Sequence, residues 1–294
     1  PRGPAAIVRR MRLTIRHVLV IANKEKPHAD SLAEEVRLYL EQQGIDVVVF
    51  RYSGNAAQPI LEDYDLAISP GGDGTVLFAS RVLSSRSIPI LPVNLGDFGF
   101  ITEVSHEEWK EAFEQYRSGV IESEKRLLIS VSHMRDGREI GKYIGLNDAV
   151  ISSAGISKII RLSVRLSETF VARYRADGII VAPPTGSTAY SAAAGGPILH
   201  PGMEAMIINP VSPFTLSHRP LVVPASEQID IEIDQYQRTT LILTVDGQAE
   251  IPVRPLDRIA VRASNERAQI LRSEKRTFYD VLRSKLNWSG GPDA

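Results

Sequence analysis

Apolar residues recur along the chain in two regimes. From His17 to about Glu124, short runs with few polar interruptions alternate with stretches at helical spacing. HVLVIA at His17–Ala22 reads as a buried strand, the β-branched IDVVVF at Ile45–Phe50 is again strand-like, and Leu66–Ser69 and Ile88–Val93 read as a third and a fourth strand. Pro27–Gln43 sets Leu32, Val36 and Leu40 on one helical face and stops at Gly44, and Thr75–Ser84 reads as a second helix. Ser105 with Glu108 predicts a capping box for a helix through Trp109 and Phe113, with Trp109 in the core. Strand and helix in alternation predict a parallel sheet covered by helices.

Beyond Glu124 the period becomes two. Ile160, Leu162, Val164 and Leu166 alternate with Arg161, Ser163, Arg165 and Ser167, and Ile229, Ile231 and Ile233 alternate with acids. Asp136-Gly137 is a hairpin signal between Leu127–Met134 and Glu139–Ile144. Gly145–Ser152 reads as a strand with the polar pair Asn147-Asp148 inside it, and Arg258–Ser264 and Gln269–Arg272 add further strands. Helix returns at Thr277–Leu286, before Trp288. The expectation is an α/β domain over 14–123, completed by 274–288, and a β-rich domain over 124–273.

A chain of 294 residues suits about two domains. With no cysteine, disulfide scaffolds, thiolate metal sites and cysteine nucleophiles are excluded. The 34 basic and 35 acidic residues give a net charge of -1, so no overall basic field exists for nucleic acid or an anionic membrane. No run is long enough to span a bilayer. Pro1–Arg16, with Arg2, Arg9, Arg10, Arg12 and Arg16, reads as a ragged leader in which Met11 is a candidate natural start. Without an export signal the expected compartment is the cytoplasm. Ser289–Ala294 reads as a loose tail.

The chemistry concentrates in glycine-rich loops. In Tyr64–Thr75 a strand runs into Gly71-Gly72-Asp73-Gly74 and a helix follows. Glycines admit a ligand close to the backbone, and free amides at a helix start attract anions. The segment is neither the dinucleotide GxGxxG nor a P-loop. A carboxylate in a phosphate cradle is repulsive unless a Mg²⁺ ion or a hydroxyl proton offsets it, which points to phosphoryl transfer onto an alcohol. The competing reading is a tight turn. Asn94-Leu-Gly-Asp-Phe-Gly-Phe-Ile-Thr-Glu103 follows the next strand and opens on the same sheet edge. Between Asp177-Gly178 and Pro197, the hydroxyls of Thr185, Ser187, Thr188, Tyr190 and Ser191 suit a nucleotide, or equally a tightly packed Gly/Ala-rich helix. Asn147-Asp148 inside a strand needs partners, with a structural hydrogen bond as the plain reading. Val245-Asp246-Gly247-Gln248 is by default a hairpin turn. The histidines lack metal-ligand spacing, and a Gly-x-Ser-x-Gly elbow is absent.

Together, Gly71-Gly-Asp-Gly-Thr75, Asn94-Leu-Gly-x-x-Gly-Phe-x-Thr, Asn147-Asp148 and Asp177-Gly178 through Thr185-Gly-Ser-Thr-Ala-Tyr-Ser191 resemble the NAD kinase family, in that family's order. The resemblance runs from Val18 to Trp288. It implies a Rossmann-like N-terminal domain with a parallel sheet and a β-rich, β-sandwich-like C-terminal domain. It implies transfer of the γ-phosphoryl group of ATP to the 2′-hydroxyl of the adenosine ribose of NAD, with a divalent metal, Mg²⁺ by preference. Asp73 would be the general base, with Gly74 beside it. Asn147, Asp148, Lys158, Arg175, Asp177, Thr188, Ala189, Tyr190, Ser191, Ala192, Ala193 and Gln248 would hold the nucleotide. The family assembles as dimers or tetramers.

Asp148 stands where relatives commonly carry Glu, Phe78 stands at a position often basic, and Arg175 resembles members that prefer NAD and use triphosphates. Asp73→Asn is expected to leave folding and NAD binding largely intact and to lower turnover by ~10²-fold or more. A lipid kinase of the diacylglycerol or sphingosine type, which shares Gly-Gly-Asp-Gly, and a non-catalytic NAD-binding regulator are the alternatives.

Overall fold

The computed structural model describes residues 12–54, 59–96, 99–155, 159–215, 217–237 and 239–288. Residues 1–11 of the leader, Met11 included, the loop residue Phe98, Lys158 and the tail Ser289–Ala294 lie outside them. The chain divides into two compact units. The first takes residues up to Ala79, Ile88–Glu124 and those from Gln269 on; the second takes Ser80–Ser87 and Lys125–Ala268.

The first unit is built from β1 (His17–Asn23), α1 (Ala29–Glu41), β2 (Asp46–Tyr52), β3 (Leu66–Gly71), α2 (Asp73–Leu83, as far as Ala79), β4 (Pro89–Asn94), β5 (Val104–Ser105) and α3 (Trp109–Arg117). Its strands lie parallel in the order β2-β1-β3-β4. β1, β3 and β4 are buried along nearly their whole length, which is why they show no alternation, whereas β2 at the sheet edge is mostly exposed or half-buried, with Val48 open to solvent. Leu32, Val36 and Leu40 of α1 pack with Val18, Val20, Leu66 and Ile68, and Trp109 and Phe113 of α3 join the same core. α1 ends with Gly44 at a φ of 76°, the left-handed conformation glycine adopts without strain.

Two local expectations differ. α2 begins at Asp73, so the carboxylate sits in its first turn, where the helix dipole favours negative charge. The Ser105 hydroxyl does not cap α3 but donates to Glu107; what remains of the box is the Ser105 amide donating to Glu108.

The second unit holds β6 (Ser123–Arg135, from Lys125), β7 (Arg138–Gly145), β8 (Ala149–Ser153), β9 (Ile160–Leu166), β10 (Thr169–Ala176), β11 (Gly178–Ala182), α4 (Tyr190–Ala193), β12 (Ala205–Val211), β13 (Leu221–Pro224), β14 (Ile229–Ile233), β15 (Leu241–Val245), β16 (Ala249–Val253) and most of β17 (Arg258–Leu271). One antiparallel sheet runs β13-β12-β11-β8-β15-β16. A second antiparallel set includes β10-β9-β14-β17 and the β6–β7 hairpin, turned at Asp136-Gly137. Ile151, Ile179, Val181, Met206 and Leu243 of the first sheet pack with Leu162, Val164, Ile229, Ile231 and Val261 of the second, the layered core of a β-sandwich.

The last residues of β17 lie beside β4. They lead to α5 (Phe278–Lys285), which belongs to the first unit and opens with a capping box between Thr277 and Asp280. Gly145–Ser152 is not one strand. β7 ends at Gly145 and β8 begins at Ala149, so Asn147 and Asp148 lie in the connection between them.

Candidate active site

In the first unit two loops leave the same end of adjacent parallel strands. β3 and β4 pair with Gly71 opposite Asn94, so the Gly-Gly-Asp-Gly loop and the Asn94 loop emerge side by side. Gly71 has no room for a side chain, since a Cβ there would lie 2.3 Å from the Thr75 Oγ1. Gly72 and Gly74 face open space, as close approach of a ligand requires.

The loops are joined through Asp73. One carboxylate oxygen accepts from the amides of Ile101 at 3.2 Å and Thr102 at 3.1 Å and from the Thr102 hydroxyl at 2.9 Å. The other accepts from the amide of Phe100 at 2.9 Å. Each carboxylate oxygen offers about two acceptor sites, so the first is crowded by its three donors while the second, with Phe100 alone among the described residues, keeps a site open. The Thr102 hydroxyl oxygen also accepts from the amide of Gly99 and the side-chain amide of Asn94, and the Asn94 carbonyl oxygen accepts from Gly96. Thr102 is fully buried, and a Cβ on Gly99 would lie 1.9 Å from the Asp73 carboxylate. The end of the loop is fixed by Glu103, buried and paired with the Arg272 guanidinium at 3.0 Å.

In the second unit the β7–β8 connection carries Asn147 and Asp148. Their amides donate to one oxygen of the Asp246 carboxylate at 2.7 and 3.1 Å, and the Leu146 amide donates to the other at 2.9 Å. The Thr185–Thr188 turn packs against the same backbone. A Cβ on Gly186 would lie 1.6 Å from the Asn147 carbonyl oxygen. Gln248, just past the β15–β16 turn, accepts from Arg81 at 2.7 Å. Asp148 and Asp246 are both buried. Burial, followed by the nearby charge of Asp246, pushes the Asp148 carboxyl up to about 7. Burial also raises Asp246, against the pull of its three amides and Arg81.

The hydroxyls of the Thr185–Ser191 segment divide. Ser187 is fully buried and exchanges hydrogen bonds with the backbone of Leu199. Ser191 is likewise buried, with Asn209 donating to its carbonyl and hydroxyl oxygens and Gly196 against it. Thr188 and Ala189 are half-buried, whereas Tyr190 is exposed at the start of α4, a short helix where a Gly/Ala-rich one was the competing expectation. Ala192 is half-buried and Ala193 exposed. Arg175 and Asp177 lie exposed at the β10–β11 junction, where the Arg175 guanidinium lies over the Phe214 ring at 4.8 Å. Phe78 is buried and stacked on Tyr52, with ring centroids 4.1 Å apart. From sequence Asp246 reads as part of a hairpin turn, with function the lesser alternative, and Thr102 and Gly186 have no role of their own. The Thr102 spacing in the Asn94 motif and the Gly after Thr185 were the signals available.

Comparison with known proteins follows the same two units. The family model for the ATP-NAD kinase N-terminal domain matches residues 53–121, and that for the ATP-NAD kinase C-terminal domain matches 146–273. The chain is similar to the NAD kinase of Treponema denticola, 44% identical over 277 residues, spanning 94% of this chain and 98% of that protein. It is similar to the NAD kinase of Geobacter sulfurreducens at 35% over 282 residues, covering 93% and 99%. Among solved structures, an NAD kinase from Archaeoglobus fulgidus in complex with ATP superposes with a TM-score of 0.74 at 28% identity, over 90% of this chain and 98% of that one. Yeast NADH kinase complexed with NADH shares the fold, with a TM-score of 0.82 at 24% identity over 94% and 89%.

Proposed function

The chain belongs to the NAD kinase family, and on that premise we propose that it transfers the γ-phosphoryl group of ATP to the 2′-hydroxyl of the adenosine ribose of NAD, giving NADP. The observation that carries the reading is Asp73, a carboxylate in the first turn of α2 beside two open glycines. The ribose oxygen bonds to the γ-phosphorus, the bond from that phosphorus to the bridging oxygen breaks, and ADP leaves. The ribose proton passes to Asp73. The carboxylate oxygen that among the described residues accepts from the Phe100 amide alone keeps a lone pair for that proton without moving the backbone. Proton acceptance comes late, because the transition state is loose and the developing charge lies mostly on the phosphoryl oxygens. Backbone amides at the start of α2 take up part of that charge.

The nucleotide is assigned to Asn147, Asp148, Lys158, Arg175, Asp177, Thr188, Ala189, Tyr190, Ser191, Ala192, Ala193 and Gln248. Ser191 serves through packing, since its hydroxyl is engaged by Asn209. Among the described residues no three of His, Asp and Glu converge to hold a metal. A Mg²⁺ ion would therefore come bound to the triphosphate, where it offsets phosphate charge. We further propose a homodimer or homotetramer in the cytoplasm. Among the described residues no helix is long and apolar enough to cross a membrane.

The test is NADP formation from NAD and ATP by the purified protein, read through a dehydrogenase that accepts only the 2′-phosphorylated dinucleotide. Turnover dependent on both substrates is expected. Its absence with ATP, other triphosphates and polyphosphate overturns the assignment. The lipid-kinase and non-catalytic alternatives gain nothing from the relatives, all named as kinases of NAD or NADH.

A further inference from the structure

The Asp246-Gly247 turn carries more than a turn requires. We propose that Asp246 is the positioning residue of the dinucleotide site, its carboxylate setting the backbone of Leu146–Asp148 and so the placement of Asn147 and Asp148. The inference rests on the assignment of those two residues to NAD.

Asp246 and Gly247 have φ values of 53° and 62°, the left-handed pair of a two-residue hairpin joining β15 to β16. Asparagine suits that conformation as well as aspartate does. Turn geometry therefore does not account for a carboxylate. Its three amide donors do, and they come from a segment 98 to 100 residues earlier in the chain. They are consecutive, and two of them belong to Asn147 and Asp148 themselves. The Asp246 amide donates back to the Asp148 carbonyl at 2.9 Å, which closes the clasp. Gly186 lies against the Asn147 carbonyl, where a Cβ would come within 1.6 Å of the oxygen, so the connection has no room to relax toward the Thr185–Thr188 turn.

The clasp holds a buried acid, Asp246, at 7% exposure, next to a second one, Asp148, at 6%. Neighbouring buried carboxylates oppose each other, an arrangement that disfavours stability. Among the described residues, the charged groups that act on the pair are Arg81, which lowers Asp246, and Asp246 itself, which raises Asp148. Arg81 also donates to Gln248, the residue that follows this turn and a further one assigned to the nucleotide. The charge of Asp246 helps to set the pH at which Asp148 ionises, and an ionised Asp148 can accept from a ribose hydroxyl. Positioning and tuning thus come from one carboxylate that does not itself touch substrate.

The test compares wild type with Asp246→Asn and Asp246→Glu in the kinase assay across pH, with KM for NAD and for ATP measured separately. Asp246→Asn keeps the turn, replaces one acceptor oxygen by a donor and removes the charge. Its KM for NAD should rise about tenfold or more while KM for ATP stays within about twofold. The acid limb of kcat/KM for NAD should move to lower pH, because Asp148 loses its repelling neighbour. Asp246→Glu keeps the charge with a longer arm, so it should raise KM for NAD and leave the limb in place. An Asp246→Asn enzyme with wild-type KM for NAD, or with both KM values raised equally and the limb unmoved, overturns the proposal. Amide hydrogen exchange on the wild-type protein tests the clasp even where the variants do not fold. Leu146, Asn147 and Asp148 should be protected without nucleotide, and exchange at unprotected rates refutes the clasp. A wild type that makes no NADP counts against the function alone, because the exchange result does not depend on it.

Discussion

Replacing Asp73 by Asn separates the anchoring of the loop from its chemistry. The carboxylate holds Phe100, Ile101 and Thr102 through four hydrogen bonds. An asparagine with its oxygen toward the Ile101 and Thr102 donors keeps three of them as weaker, neutral bonds. Its amide then meets the Phe100 amide, donor against donor. Bonds to a charged group contribute ~1.5–3 kcal/mol and neutral ones ~0.5–1.5, and an orphaned donor costs a further ~1–3. Allowing for partial exposure and non-additivity, the variant should lose about 2–3 kcal/mol. The variant should still fold despite that loss, which keeps the expectation from sequence that folding stays largely intact. Urea unfolding and a thermal melt, expected to fall by roughly 4–10 °C, read the anchor. Turnover, measured well below the melt, reads the chemistry and should fall by ~10²-fold or more. An unchanged melt refutes the anchoring argument, and near wild-type turnover in the folded variant refutes the base.

Three further outcomes follow from the same contacts. Gly186→Ala forces the Asn147 carbonyl away from a Cβ that would lie 1.6 Å from it, so KM for NAD should rise by about tenfold or more, and an unchanged KM would show that the connection yields freely. Glu103→Gln removes one buried partner of Arg272, which keeps Glu124 at 3.0 Å, and should destabilise the protein by ~1–3 kcal/mol, measured by denaturant unfolding. The Asp257 carboxyl is raised by burial but drawn down further by Arg135, the Arg254 amide and His133, to about 2. A depressed acid stabilises above its unfolded value and loses that contribution as pH falls through its folded one. About 2 kcal/mol should therefore vanish between roughly pH 4 and pH 2 in wild type, and Asp257→Asn should flatten that stretch of the stability curve.

What the sequence showed and what it concealed divide by range. Val18–Ile21 and Leu66–Ile68 were legible because a run buried on both faces has one pattern, and Ile160–Leu166 because a half-buried strand has another. Gly71–Gly74 was legible because glycines mark close approach. Asn147 and Asp148 were misplaced into a strand, since the groups that hold their amides out of the ladder come from Asp246, about a hundred residues later. The four donors on Asp73 were equally hidden, because they lie beyond the next helix and strand. Ser187 and Ser191 looked like nucleotide ligands by composition, and only the packing of Leu199 and Asn209 shows where their hydroxyls turn. The handover of Ser80–Ser87 to the second unit has no local signal at all.

The central claim is a phosphoryl transfer to one particular hydroxyl. The most direct measurement supplies the purified protein with ATP and either the 2′-deoxyadenosine or the 3′-deoxyadenosine analogue of NAD, and follows phosphomonoester formation by ³¹P NMR. The account predicts a new monoester signal with the 3′-deoxy analogue and none with the 2′-deoxy analogue. A monoester formed on the 2′-deoxy compound would contradict it.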